Sequence, residues 1–113
     1  MAEFSKPDSV RCIGGTGFYD YVLVASVDEL ISMFGEPTFH YECPWEKSQY
    51  YWILLCKDGE KEIPFTIYDW KEFRPFGNAE IIMWHLGTRN EEESDVVSRL
   101  LKENYSFKYV GKM

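Results

Sequence analysis

The chain is short of the residues that carry most recognisable chemistry. It has three cysteines, Cys12, Cys43 and Cys56, and two histidines, His40 and His85. Three thiols cannot all pair within one chain, and no C-x-x-C spacing or neighbouring pair of histidines marks a zinc site. The simplest inference is a reduced intracellular protein with no metal and no cofactor. Basic charge is scarce as well: twelve Lys and Arg stand against nineteen Asp and Glu, a formal net charge of −7. Nucleic-acid affinity comes largely from cations that neutralise phosphates, so this balance argues against nucleic acid and against an anionic membrane surface. The acids are scattered rather than ranked in one helical row, which fits an ordinary soluble domain.

No stretch approaches the roughly 20 apolar residues of a membrane span. Met1-Ala2-Glu3-Phe4-Ser5-Lys6-Pro7 lacks the apolar run of a signal peptide. The expected location is cytoplasmic, or nuclear in a eukaryotic host, and not secreted. Internal repeats and low-complexity segments are missing too. The glycine cluster Cys12-Ile13-Gly14-Gly15-Thr16-Gly17 is no phosphate loop, because no buried strand precedes it and no Lys-Ser/Thr pair follows. It reads as a turn with unusual backbone angles.

What is present is apolar and aromatic: 45% of the 113 residues are hydrophobic and 18% are Phe, Trp or Tyr. That composition excludes disorder, and the length suits one domain, 1–113, with residues 1–17 loosely ordered or in a loop. Tyr19 to Ala25 reads as a strand. Ser26 opens a helix over about 27–34, with Glu29 completing a capping box, Val27, Leu30, Ile31 and Phe34 on one face, and Gly35 as its stop. Residues 36–49 read as a connection with one brief extended piece, in which Trp45 covers an end of the core.

Tyr50 to Cys56 is apolar on both faces, as an interior strand would be. An Asp58-Gly59 turn returns the chain through Glu62 to Asp69, where Pro64 requires open space or a bulge. Glu80 to Leu86 makes a further strand, broken by Gly87. Asn90 caps a second helix over about 91–103, with Glu93 at the capping-box position and Val96, Val97, Leu100 and Leu101 inward. Tyr105 to Val110 is the last strand. The fold class expected is α+β: an antiparallel sheet of 4–5 strands packed with two helices.

The segments Phe34-Gly35-Glu36-Pro37, Asp58-Gly59, Phe65-Thr66-Ile67-Tyr68-Asp69-Trp70-Lys71 and Trp84-His85-Leu86-Gly87 resemble a group of small uncharacterised proteins from bacteriophages and large DNA viruses. The resemblance runs over roughly residues 27 to 90. Leu86 stands where that pattern has Ile, and the N-terminal stretch and the Cys-containing connector do not align. The resemblance implies a viral accessory protein and no particular chemistry.

Among single residues, His85 could act as an acid or base near neutral pH, with Asp69 as its orienting carboxylate, or could be a core imidazole stacked among rings. Cys56 reads as a small core residue. A Cys43 and His40 nucleophilic pair lacks an oxyanion site. Glu91, Glu92, Glu93 and Asp95 lack the spacing of a calcium loop and serve the helix start. No catalytic and no metal residue is assigned. The loop from Trp70 to Asn78 combines rings with an Arg fork, the residue types enriched at contact hot spots. The candidate binding residues are therefore Tyr68, Asp69, Trp70, Phe73, Arg74, Phe76, Asn78 and His85. Alternatively, Phe73 and Phe76 fold back onto the core and leave Trp70 partly exposed.

Three functions remain open. The first is a small acidic, non-enzymatic binding protein that contacts a host or viral protein, through an exposed apolar patch or one completed by self-association. The second is a small-molecule or nucleotide binder, or an enzyme, with a concave site near Tyr68, Asp69, Trp84 and His85. The third is a virion structural component.

Overall fold

A computed structural model describes residues 2–7, 15–40, 49–70 and 76–113 of the chain. The elements, in order, are β1 (Ala2–Ser5), β2 (Gly17–Ala25), α1 (Val27–Phe34), β3 (Phe39–His40), β4 (Tyr50–Asp58), β5 (Lys61–Tyr68), β6 (Ile82–Thr88), α2 (Glu91–Asn104) and β7 (Tyr109–Lys112). All seven strands join one antiparallel sheet in the order β1-β4-β5-β6-β2-β7, with β3 also paired to β4.

The α+β class and both helices stand as expected, but the sheet has seven strands where 4–5 were expected. The surplus comes from short edge pieces. Ala2–Ser5, expected to be loosely ordered, pairs with Leu55 to Asp58 of β4. What holds it is Phe4, whose ring meets those of Phe34, Phe65 and Tyr105 at 5.5–6.3 Å. The final strand is β7 at Tyr109–Lys112 rather than Tyr105 to Val110, because α2 runs to Asn104 and its C-cap Tyr105 turns inward. Gly87, expected to end β6, lies inside it.

Strand alternation divides the sheet into two faces. Trp52, Leu54, Cys56, Ile63, Phe65, Ile67, Ile82, Trp84, Leu86, Tyr21, Leu23 and Ala25 share one face, where they pack with Val27, Leu30 and Phe34 of α1 and Val97 and Leu101 of α2. Both helices thus bury their apolar stripes on the same side. Trp52 and Trp84 are fully buried and meet edge to face at 5.5 Å. Each indole N–H must find an acceptor there. Trp84 donates to the carbonyl of Ala25, before the α1 cap, and Trp52 to that of Gly35, after it, both at 2.9 Å. The two tryptophans therefore pin α1 at both ends.

The caps explain the helix limits. Ser26 and Glu29 form the reciprocal capping box, and Gly35 ends α1 with φ of 82°. At α2 the Asn90 side chain accepts from the Glu93 amide, but the Glu93 carboxylate turns to Arg89 instead of closing a box. The β4–β5 turn is Gly59-Glu60 rather than Asp58-Gly59, since Asp58 pairs with Lys61 and only Gly59 takes a positive φ. Pro64 costs the sheet nothing, because β6 pairs with β5 only from Thr66 onward.

Candidate functional site

The second face of the sheet carries neither helix, and alternation sends the other set of side chains there. Cross-strand register places Phe39 of β3 opposite Tyr51 of β4, Tyr51 opposite Tyr68 of β5, and Tyr68 opposite His85 of β6. The rings follow the register: centroids are 6.4 Å apart for Phe39 and Tyr51, 5.2 Å for Tyr51 and Tyr68, and 5.4 Å for Tyr68 and His85. A bulge in β2 between Phe18 and Val22, with Asp20 at φ 68°, shifts the register by two residues and sets Phe18 opposite Gly87, where its ring stacks on His85 at 3.8 Å. Trp70 lies over the same group, 6.0 Å from His85 and 6.1 Å from Tyr68. The result is a ring row across five strands, half-buried at its centre. Its margin is open: Phe39 and Trp70 are each 42% exposed and Met83 45%.

Electrostatics make the row neutral. Burial lowers the His85 pKa from 6.5, opposed by the nearby Asp20 carboxylate, so the imidazole carries no charge at neutral pH. Burial, with a smaller contribution from Tyr51, pushes the Tyr68 phenol up to about 12. At neutral pH the row offers π-faces, hydroxyls and an uncharged imidazole.

The expected site residues separate into four groups, Asp69 standing alone as the last. Tyr68, Trp70 and His85 come together on the ring row. Phe76 and Asn78 go elsewhere: Phe76 packs on Tyr50 and Trp84 at the core margin, while the Asn78 carbonyl accepts from the Asp28 amide at 3.0 Å in the first turn of α1. Phe73 and Arg74 lie outside the described residues, as do Cys12, Cys43 and Trp45.

Asp69 is fully buried and acts on the backbone. One oxygen accepts from the amides of Gln49 at 2.8 Å and Tyr50 at 2.7 Å, and the other from Gln49 at 3.0 Å. Burial raises its pKa and these amides pull it back. It ties the start of β4 to the end of β5 rather than orienting His85.

Trp84 and His85 are neighbours in sequence and therefore face opposite sides, so the constellation Tyr68, Asp69, Trp84 and His85 does not converge on one cavity. His40 stacks on Tyr50 at 4.1 Å. Cys56 is buried and its thiol pushed up to about 11, which leaves it inert. Among the described residues no group of three or more His, Cys, Asp or Glu is placed to hold a metal ion, and no helix is long and apolar enough to cross a membrane.

Phe18, Phe39, Tyr51 and Met83 were not singled out from the sequence, where an Asp58-Gly59 turn sets Tyr51 opposite Thr66 instead of Tyr68. The fold and the ring row define an α+β domain with one face closed by two helices and the other presenting aromatic side chains. The chain matches no family model, no curated protein and no solved structure.

Proposed function

We propose that the chain is a small acidic, non-enzymatic binding protein whose helix-free sheet face contacts a partner protein, the role that a viral accessory factor would fill. The observation that carries this reading is the ring row itself, with Phe39, Trp70 and Met83 exposed along its margin. Aromatic and Met side chains are enriched at interface cores, where large rigid rings gain contact area at small entropic cost. An isolated exposed ring needs no explanation, but several joined through stacked neighbours form an apolar patch of the kind that partners cover. The net charge of −7 favours a partner face that is neutral or basic.

The test is affinity purification with the native chain, Trp70→Asp and Met83→Asp, alongside Glu103→Gln as a helix-side control. A partner retained by the control and lost by both face variants is expected, with affinity for the purified partner falling about tenfold or more. Identical captured proteins from all four chains would refute the face assignment. Sedimentation of the purified chain tests the version in which a second copy covers the row.

A further inference from the structure

We infer that the chain has a second, independent docking site at the open edge of β7, and that its occupant is an acidic peptide segment added as an extra strand. Among the described residues, strand β7 is the last in the sheet order and pairs only with β2. Met113 donates its amide to the Asp20 carbonyl at 2.7 Å, continuing that ladder. Antiparallel alternation then turns the N–H and C=O of Val110 and the N–H of Lys112 away from β2. The Lys112 carbonyl is already occupied by the Tyr109 hydroxyl, which leaves the middle of the strand as the template.

Beside this edge lies a hollow of about 380 Å³ lined by Lys102, Tyr105, Phe107, Lys108 and Val110, among others. A smaller one of about 220 Å³ shares Lys102 and Val110 and runs on to Lys112. Together they form a groove between α2 and the strand edge, with rings in its wall and cations at its rim.

The charge of the rim selects the occupant. Four of the twelve basic residues, Arg99, Lys102, Lys108 and Lys112, gather here. Arg99 is paired with Asp95 at 3.3 Å and Lys112 with Glu91 at 3.5 Å. Among the described residues, no carboxylate pairs with Lys102 or Lys108. Two cations beside an open strand edge suit a peptide whose backbone joins β7 and whose carboxylates reach the lysines. The carboxylates at the rim, Asp95 and Glu91, are each held by a cation, and at 0.15 M salt charges beyond about 8 Å are largely screened. Two lysines are too few for a polyanion on a chain of net charge −7.

The probe is an acetylated hexapeptide of alternating Glu and Val, titrated into the isotopically labelled chain at 0.15 M salt. The expected result is amide shifts centred on Val110 and Lys112. Affinity should fall about tenfold in Lys102→Glu/Lys108→Glu, and by a similar factor when Gln replaces Glu in the peptide. N-methylation at alternate peptide positions should abolish the shifts. Both lysines are exposed, and circular dichroism of the double variant checks that it folds. The inference is overturned if the shifts lie elsewhere or are absent at millimolar peptide. Equal binding of the Gln peptide overturns it too, as does binding to anionic vesicles or oligonucleotides without peptide binding. The site shares no residue with the ring row, so Trp70→Asp should leave peptide binding unchanged and the two proposals fail separately.

Discussion

Asp69 shows how a residue with the look of chemistry serves the backbone. Its carboxylate is the acceptor for two amides at the start of β4, one of them buried. Asp69→Ala should therefore cost about 3 kcal/mol, read by urea unfolding, and Asp69→Asn less, since the amide oxygen still accepts. Gly87 is constrained by its neighbour rather than by its dihedrals. A Cβ there would lie 2.3 Å from the Thr66 Oγ1 in the facing strand. Gly87→Ala should lose about 2 kcal/mol or more by overpacking, and the double variant with Thr66→Ala should recover a good part of the loss. Equal destabilisation of the single and double variants would show that the clash is not the cause. Neither effect is legible from the sequence, because each depends on which residue lies across the ladder.

At the scale of elements, the helices were legible and the sheet edges were not. A helix announces itself locally: Ser26 with Glu29, Asn90, and apolar residues three and four apart all act within a few turns. A short edge strand depends on a distant partner. Ala2–Ser5 has no amphipathic signature, yet Phe4 anchors it among Phe34, Phe65 and Tyr105. Phe4→Ala should destabilise the domain by about 2 kcal/mol in thermal or urea unfolding, and amide exchange should rise from Leu55 to Asp58, where β1 pairs. An unchanged midpoint would mean that β1 is not part of the cooperative unit. The hairpin turn is a related case. Choosing Asp58-Gly59 instead of Gly59-Glu60 slides the pairing by two residues, which would set Tyr51 against Thr66 and hide the ring row.

For the molecule as a whole, burial of ionisable groups on the two sides of the sheet gives stability a definite pH response. His85 binds its proton less readily folded than unfolded, where its value is 6.5. The stability tied to its neutral form is complete above 6.5 and is lost as pH falls from 6.5 through the lowered folded value. Asp69 acts in the opposite sense: its raised pKa makes folding more favourable as pH falls toward the unfolded value of 3.8. Subtracting the urea-unfolding curve of His85→Gln from that of the native chain isolates the first contribution, which should decline below pH 6.5. A flat difference would show that the imidazole is not desolvated by Phe18 and Tyr68.

The sequence by itself determined the α+β class, both helices with their N-cap residues, the interior place of β4 and the alternation of its side chains. These follow from near-neighbour periodicity and turn chemistry, which the chain carries in any context. Only the tertiary structure decided that both helices lie on one face, that Tyr68, Trp70 and His85 join Tyr51, Phe39 and Phe18, and that Asp69 and Phe76 do not. Ring rows and strand edges exist only once register and strand order bring distant residues to one place.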